Sequence, residues 1–282
     1  YAKKRGVNVM SEVDVPGHAE SWGAGYPDLW PSKTCREPLD VSKNLTFKII
    51  SGILSDFRKI FPFELFHLGG DEVNTDCWNL TPHVKRWLQD HNMTAKDAYQ
   101  YFVLKAQDIA ISQNWIPVNW EETFTSFKEN LNPQTVVHNW LTDGVCVNAV
   151  AKGFRCIASN QAFWYLDHLD IQWEDFYTYD PLEGIQDASQ QKLVIGGEVC
   201  MWGETADTSD VQQTIWPRAA AAAERLWNGI EATNTFGNIS SNVFPRLEYF
   251  RCLLNKRGIA AAPVSNRYAR QPPIGPGSCY DQ

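Results

Sequence analysis

The sequence predicts an α/β fold in which helices cover a parallel sheet. Six short apolar runs alternate with helical patterns, and such alternation is typical of parallel sheets. Each run ends at a turn that carries a polar or aromatic side chain, as the loops after the strands of a (β/α)8 barrel do. A doubly wound sheet would more often carry a glycine-rich phosphate loop, and the sequence contains no such motif. We therefore expect a (β/α)8 barrel.

The predicted strands number six, whereas a closed barrel needs eight. They cover residues 7–13, 63–68, 116–119, 135–138, 154–158 and 193–199. The chain starts with what reads as the end of a helix, stopped by Gly6, so we expect a fragment that lacks the first two strands. Residues 1–282 would then be one catalytic barrel domain, incomplete at its N-terminus, with strands 3 to 8, a C-terminal helix and a tail. Because such a sheet cannot close, we expect the isolated chain to be unstable and inactive.

Helical spacing of apolar residues predicts the segments between and after these strands. Thr94 and Asp97 form a capping-box pattern, and Pro82 fits a first helical turn. Gly258 is a natural C-terminal stop. The predicted helices begin near Ser42, Thr81, Thr94, Thr142, Trp216 and Val243. Three tryptophans in helices or packed runs are expected in the core: Trp87, Trp216 and Trp227.

Two adjacent carboxylates follow the second apolar run, in the segment Phe66-His67-Leu68-Gly69-Gly70-Asp71-Glu72-Val73. Neighbouring side chains on a strand point to opposite faces, so Asp71 and Glu72 share one site only if the strand has ended. The two glycines supply that ending, because they adopt conformations closed to other residues. Close carboxylates in different environments separate in pKa, and one can stay protonated as an acid. This layout is typical of a glycosidase, although a solvated loop or a helix N-cap explains the pair alone equally well.

Composition narrows the function. The net charge of −8, with lysine and arginine scattered, argues against nucleic acid, and no apolar run could span a membrane. The 12 tryptophans among 282 residues are about three times ordinary usage. Trp120, Trp140 and Trp202 lie at strand ends, where an aromatic face can pack on a sugar ring while carboxylates bind its hydroxyls.

The seven cysteines leave an odd one over. Cys35 and Cys77 are expected in loops on the same barrel face and can be bridged. Cys252 and Cys279 can tie the tail to the last helix. Cys200 lies inside an apolar strand and is expected to be a buried thiol.

Glycosylation sequons occur at Asn44, Asn79, Asn92 and Asn238, and the one at Asn79 is weakened because Pro82 follows Thr81. Several sequons together with pairable cysteines favour a secretory compartment.

Four motifs together resemble the β-N-acetylhexosaminidases of glycoside hydrolase family 20. They cover residues 67–72, 14–18, 197–204 and 216–218, and the similarity extends over essentially the whole chain. The segments 119–123 and 137–140 are most similar to the eukaryotic lysosomal and plant vacuolar or secreted branch. In that family an arginine from the first strand and an aspartate from the second grip the sugar, and neither strand is present here.

The resemblance implies a retaining, substrate-assisted mechanism without a cofactor. By analogy Glu72 protonates the leaving oxygen and then acts as base toward water, while the sugar's acetamido oxygen attacks the anomeric carbon. Asp71 orients that acetamido group and offsets the charge on its nitrogen. The implied substrates are glycans ending in N-acetylglucosamine or N-acetylgalactosamine, as in N-glycans, glycolipids or chitin oligomers. The same resemblance makes a homodimer, and a vacuolar, lysosomal or extracellular location, further expectations.

The binding residues also come from the resemblance. Tyr165 matches the tyrosine that hydrogen-bonds the acetamido oxygen, and Trp120, Trp140 and Trp202 match the pocket walls. By the same resemblance, Glu204 binds sugar hydroxyls and Asp167 is a candidate contact to the 6-hydroxyl. His18 is expected to be a hydrogen-bond partner beside the acid.

Two other functions are consistent with parts of the sequence. One is a metal-dependent barrel hydrolase with Asp14, His18, His67, Asp71 and Glu72 as ligands, although the His-x-His and HExxH spacings are absent. The other is a sugar-binding protein that keeps the aromatic pocket without the chemistry, although the acid pair is intact. Tolerance of a chelator tests the first, and hydrolysis of an aryl N-acetyl-β-glucosaminide tests the second.

Overall fold

The computed structural model describes residues 1–228, 239–271 and 279. Within these residues six strands form one sheet, and their order in the sheet follows their order in the sequence. The strands are β1 Ser11–Glu12, β2 Leu65–His67, β3 Ile116–Trp120, β4 Val136–Asn139, β5 Arg155–Ala158 and β6 Val194–Gly197. The pairs β1/β2, β2/β3 and β3/β4 are parallel. The predicted α/β class, with helices between parallel strands, is confirmed.

Thirteen α-helices lie in the described part of the chain. They are α1 Asn44–Ile60, α2 Asp76–Leu80, α3 Pro82–Asp90, α4 Ala95–Ser112, α5 Glu121–Phe127, α6 Val145–Ala151, α7 Gln161–Trp164, α8 Trp173–Thr178, α9 Ala188–Gln191, α10 Val211–Ile215, α11 Arg218–Trp227, α12 Ile239–Asn242 and α13 Phe244–Lys256. Short 3-10 helices cover Ala2–Arg5, Glu20–Ala24, Pro27–Leu29 and Lys128–Asn130.

The chain forms two compact units. Unit 1 contains Tyr1–His138 and Asn148–Cys156, and unit 2 contains Asn139–Val147 and Ile157–Gln282. The assignment of residues 1–282 to a single catalytic domain remains a prediction.

In unit 1, β1 is shorter than the predicted strand at residues 7–13. Its ladder with β2 pairs Ser11 with Phe66 and Glu12 with His67, and Val7 and Val9 are exposed instead of paired in the sheet. Apolar content alone therefore overestimated the strand, because a strand extends only as far as its partner offers backbone groups.

The core of unit 1 is aromatic. Phe66 on β2 is fully buried, and its ring centre lies 4.9 Å from that of Trp115, which precedes β3. Between α1 and α4, the rings of Phe47 and Phe102 are 4.8 Å apart. The predicted capping box at the start of α4 is confirmed: the Asp97 N–H donates to the Thr94 hydroxyl, and the Thr94 N–H donates to the Asp97 carboxylate. Helix α4 also contacts strand β3.

Unit 2 has its own core, in which α8 and α11 are in contact. Trp164 and Phe176 are fully buried there, together with Ala222 on α11. The prediction that Trp227 lies in the core is wrong, because its side chain is 87% exposed at the end of α11. Trp87 and Trp216 are partly buried. Among the described residues, no helix has the length and apolar character that crossing a membrane requires.

Candidate active site

The turn after β2 presents two consecutive carboxylates. The strand ends at His67. Gly69 and Gly70 follow with φ of 62° and 93°, backbone angles that residues with a Cβ rarely adopt. Glu72 itself has φ of 50°, a left-handed conformation that costs a residue with a Cβ roughly 1–2 kcal/mol. Such strained residues are concentrated at functional sites. The structure thus confirms the prediction that the strand ends at the two glycines.

His18 brings the two carboxylates together. Its Nδ1 lies 3.6 Å from the Asp71 Oδ2, and its Nε2 lies 3.4 Å from the Glu72 Oε2. The same Nδ1 is 3.1 Å from the Oδ2 of Asp14. One imidazole therefore contacts three carboxylates, and two of those carboxylates are the predicted catalytic pair.

Asp71 and Glu72 differ sharply in burial. Asp71 is 8% exposed, whereas the Glu72 side chain is 57% exposed. The Oδ1 of Asp71 is buried and has no hydrogen-bond partner among the described residues. A buried carboxylate oxygen without a donor is costly, so this atom is well placed to accept an N–H group from a ligand.

The electrostatics of the site separate these groups further. Burial, with the neighbouring Asp14 as the second cause, raises the pKa of Asp71 to about 9. The hydrogen bond to Asp14 raises the pKa of His18 to about 9, although burial acts in the opposite direction. At neutral pH these two shifts favour the protonated form of Asp71 and the imidazolium form of His18. The sequence argument left open which carboxyl would have a raised pKa, and the environment of Asp71 raises the pKa of that residue.

Trp120 is the last residue of β3 and is 3% exposed. Its indole Nε1–H donates to the Glu12 Oε1 at 3.2 Å, and its ring stacks on His138 with 4.2 Å between ring centres. Burial opposes ionisation of Glu12, but His67, at 3.0 Å, holds the pKa of this carboxyl below its ordinary value. Burial, and then the charge of His67, keeps the pKa of His138 well below its ordinary value. Charged Glu12 and neutral His138 thus fix the orientation of Trp120.

Sequence reasoning gave Glu12 no role and named Asp14 only as a ligand in the metal-dependent alternative. Both lie on or just after β1, in the segment leading to His18. The available signal was an acidic residue at the end of the predicted strand, followed two positions later by a second one in the turn.

Unit 2 groups three of the predicted pocket residues. Trp140 directly follows β4 and its ring stacks on Tyr165, with 6.2 Å between ring centres and 21° between planes. Tyr165 is 4% exposed, and its hydroxyl is hydrogen-bonded to Trp202 and Cys200. Burial, followed by the charge of Cys200, raises the pKa of Tyr165 above its ordinary value, so its hydroxyl stays protonated. The structure thus provides a neutral hydroxyl on a ring that stacks on Trp140.

The two predicted carboxylates of unit 2 differ in environment. Asp167 follows Tyr165 by two residues, and its Oδ1 is buried without a hydrogen-bond partner among the described residues. Glu204 is exposed, as is much of Trp202. Asp167 therefore has the more enclosed carboxylate of the two.

Cysteines and sequons lie largely as predicted. Disulfides join Cys35 to Cys77 and Cys252 to Cys279, and Cys200 is a free, buried thiol. Beyond the prediction, two further cysteines are disulfide-bonded, namely Cys146 and Cys156. The sequon asparagines Asn44, Asn79 and Asn92 are exposed, and Asn238 lies outside the described residues.

Comparison with known proteins identifies the family. Residues 1–230 match the family model for the catalytic domain of glycosyl hydrolase family 20. The chain belongs to glycosyl hydrolase family 20. It is 72% identical over 282 residues to beta-hexosaminidase 1 of Arabidopsis thaliana and 60% identical to beta-hexosaminidase 3 of the same plant, and it covers 52% of each. The structure is also similar to that of a chitobiase from Flavobacterium johnsoniae, with 29% identity and a TM-score of 0.80 over 95% of this chain and 42% of that chain.

Membership of glycosyl hydrolase family 20 confirms the resemblance drawn from the sequence motifs. The chain spans about half the length of the curated relatives it matches, since it covers 52% of each of the two Arabidopsis proteins. The Asp71-Glu72 turn lies in unit 1, and the Trp140-Tyr165 pair lies in unit 2.

Proposed function

We propose that the protein carrying this chain is a β-N-acetylhexosaminidase that hydrolyses terminal non-reducing N-acetylglucosamine or N-acetylgalactosamine residues. The observation that carries the proposal is the turn in which a buried Asp71, with an unpartnered oxygen, precedes an exposed Glu72. The names of the two Arabidopsis relatives, both beta-hexosaminidases, support the same activity.

In the first step Glu72 acts as general acid. It transfers its proton to the leaving oxygen as the bond from that oxygen to the anomeric carbon breaks. The carbonyl oxygen of the sugar's own acetamido group forms the new bond to the anomeric carbon, which gives an oxazolinium ion. Most retaining glycosidases use a carboxylate nucleophile for this bond, and this family is an exception.

Asp71 stabilises the charge that this attack creates. Its unpartnered Oδ1 can accept the acetamido N–H. The acetamido N–H, and then the positive charge on its nitrogen, favours the carboxylate form of Asp71, which burial opposes, and the proton that Asp71 loses passes to solvent. The residue therefore responds to the intermediate more strongly than to the substrate, as transition-state stabilisation requires.

In the second step Glu72, now a carboxylate, takes a proton from water. The water oxygen attacks the anomeric carbon and breaks its bond to the acetamido oxygen, which restores the acetamido group. Two displacements at one carbon retain its configuration. The exposure of Glu72 supports this role, because the residue must be accessible to water as well as to the leaving group.

The remaining site residues have binding roles in this proposal. Tyr165 donates to the acetamido oxygen, and the indoles of Trp120, Trp140 and Trp202 enclose the acetyl group and the ring. The stacked, buried Tyr165 and the fixed Trp120 support these roles. The polar contacts are Asp167 and Glu204 to sugar hydroxyls, and His18 to the acid.

We propose further that the protein follows the secretory route to a vacuole, a lysosome or the extracellular space, and that it acts as a homodimer on N-glycans, glycolipids or chitin oligomers. Disulfides and exposed sequon asparagines support the route.

The acid is tested by Glu72→Gln in the full-length protein. The variant keeps the shape but lacks the transferable proton, so turnover of an unactivated disaccharide should fall by roughly two to four orders of magnitude. Glu64→Gln is the matched control, because Glu64 is an exposed glutamate directly before the start of β2, at the opposite end of the strand from Glu72. Near-normal turnover by the Glu72 variant would eliminate Glu72 as the acid.

The substrate's role as nucleophile is tested with a thiazoline analogue of N-acetylglucosamine, which mimics the cyclised intermediate. It should inhibit far better than the free sugar. Asp71→Asn should weaken this inhibitor by about 1.5–3 kcal/mol, the contribution of a charge-assisted hydrogen bond. A covalent glycosyl adduct on Asp71 or Glu72, detected by mass spectrometry, would refute the substrate-assisted step.

One observation favours a second candidate, the metal-dependent hydrolase. Asp14, His18 and Asp71 each offer a ligand atom, and these atoms lie within 4.8 Å of one another. Of the five ligands that this alternative names, His67 is instead engaged by Glu12. Loss of activity in a chelator, restored by a divalent cation, would support the metal function. Full activity in the chelator is the result expected from the hexosaminidase mechanism.

A further inference from the structure

Side chains outside the catalytic motif bind the backbone of the catalytic turn, which comprises residues 69–72. The carbonyls of Gly69 and Gly70 lie beyond the end of β2, and a buried carbonyl without a donor is costly. The Gly69 carbonyl accepts the Asn119 Nδ2–H at 3.0 Å and the Trp120 N–H at 3.1 Å. The Gly70 carbonyl accepts the Tyr99 hydroxyl.

These donors are themselves fixed. Asn119 is 1% exposed, and its Oδ1 accepts the Gln107 Nε2–H at 2.8 Å, which sets the orientation of its amide. Tyr99 is 7% exposed and lies on α4, as Gln107 does. The Gly70 N–H, on the opposite side, donates to the Asp14 carboxylate at 2.9 Å. Helix α4 and strand β3 thus hold the turn through three buried side chains.

The turn needs such support. Gly69 and Gly70 have no side chains to restrict them, and Glu72 has a left-handed backbone that is unfavourable for glutamate. The Glu72 side chain is 57% exposed, and its carboxylate lies 3.4 Å from the His18 imidazole. Little packing holds it, so its direction depends on the backbone that precedes it as well as on His18.

We propose that Tyr99 and Asn119 are positioning residues, which hold the Gly69 and Gly70 carbonyls and thereby aim the Glu72 carboxyl at the leaving oxygen. The inference rests on the proposed role of Glu72 as the acid. Both side chains are buried, and they act on the backbone of the turn. A small displacement of a catalytic group is enough to slow a reaction strongly, and a shift of about 1 Å can cost 100-fold.

The test varies how much the reaction needs the acid. The leaving group of a disaccharide is a sugar alcohol, whose oxygen must be protonated as it leaves. The leaving group of the dinitrophenyl glycoside, 2,4-dinitrophenolate, leaves without a proton. For Tyr99→Phe in the full-length protein, kcat/KM for the disaccharide should fall about ten-fold, and kcat/KM for the dinitrophenyl glycoside should change less than about two-fold. A residue that served only stability would lower both by the same factor.

Tyr101→Phe is the matched control, because Tyr101 is on the same helix and its hydroxyl instead accepts from Lys105 at 2.9 Å. It should leave both values unchanged. Gln107→Met removes the donor to Asn119 with little change of volume, and should give the same selectivity at about three-fold. This variant also carries the test if Tyr99→Phe does not fold.

Glu72→Gln, measured on the same two substrates, separates the two proposals. If it shows no preference for the dinitrophenyl substrate, Glu72 is not the acid and both proposals fail. If it shows that preference while Tyr99→Phe and Gln107→Met do not, the proposed function stands and the positioning role is overturned. Equal losses on both substrates for the latter two variants also overturn that role.

Discussion

Replacing Gly69 by alanine should destabilise the protein well beyond the ordinary cost of an alanine with positive φ. Gly69 has φ of 62°, and a Cβ added there would lie 1.9 Å from the Asp14 Oδ1 and 2.1 Å from its Cγ. Contacts this short cannot exist, so the Asp14 carboxylate must swing away. It then loses its hydrogen bond from the Gly70 N–H, which is 2.9 Å long.

The size of the effect follows from two contributions. An alanine in the left-handed region costs roughly 1–2 kcal/mol, and loss of a hydrogen bond to a charged group costs about 1.5–3 kcal/mol. The expected loss for Gly69→Ala is therefore about 2.5–5 kcal/mol. Gly153→Ala is the matched control, because Gly153 has φ of 85° and a Cβ there would meet nothing within 4 Å. The control should lose only the first contribution.

Denaturant unfolding of the two full-length variants and the wild type measures both losses, provided that the slopes remain equal. In an Asp14→Gly background the obstructing carboxylate is gone, so the extra loss for Gly69→Ala should disappear. Equal losses for Gly69→Ala and Gly153→Ala, within about 0.5 kcal/mol, would refute the collision with Asp14.

Two further predictions concern pH and glycosylation. The pKa of Asp71 is raised to about 9 in the folded protein, so the stability it contributes is complete below its ordinary pKa and is lost as the pH rises through about 9. Asp71→Asn should therefore flatten the fall in unfolding free energy between pH 5 and 9, by at most about 1.4 kcal/mol per pH unit; parallel pH profiles would contradict the raised pKa. Because Asn44 and Asn92 are exposed, protein secreted by eukaryotic cells should lose mass on enzymatic removal of N-glycans, and Asn92→Gln should carry one glycan fewer; an unchanged mass would argue against the secretory route.

The backbone of the turn at residues 69–72 was predictable because its signal is local. An apolar run, two glycines and two carboxylates in succession leave few backbone paths, and Gly69 and Gly70 have the positive φ that this reading requires. The buried thiol of Cys200 was predictable for a similar reason, since it sits within an apolar run.

Features that depend on distant partners were less accessible. The length of β1 is decided by its ladder with β2, and the apolar run at residues 7–13 contains no information on where that partner ends. The support of the turn by Tyr99 was missed because the two are 29 residues apart and Tyr99 looks like any aromatic residue of an amphipathic helix. Exposure of Trp227 was missed because hydrophobicity and helical spacing do not tell which helix end projects beyond the core.

The free thiol of Cys200 has a consequence for folding in an oxidising compartment. Disulfide exchange needs a thiolate that can reach a disulfide, and burial, with Glu198 as the second cause, raises the pKa of Cys200 to about 12. Its Sγ also lies 3.1 Å from the Ser159 hydroxyl, within the buried interior of unit 2. Once folded, the protein therefore keeps this thiol, the one free cysteine in the described part of the chain, from attacking the six oxidised cysteines. The same thiol would become reactive only when this part of unit 2 opens, so its rate of alkylation reports directly on that opening.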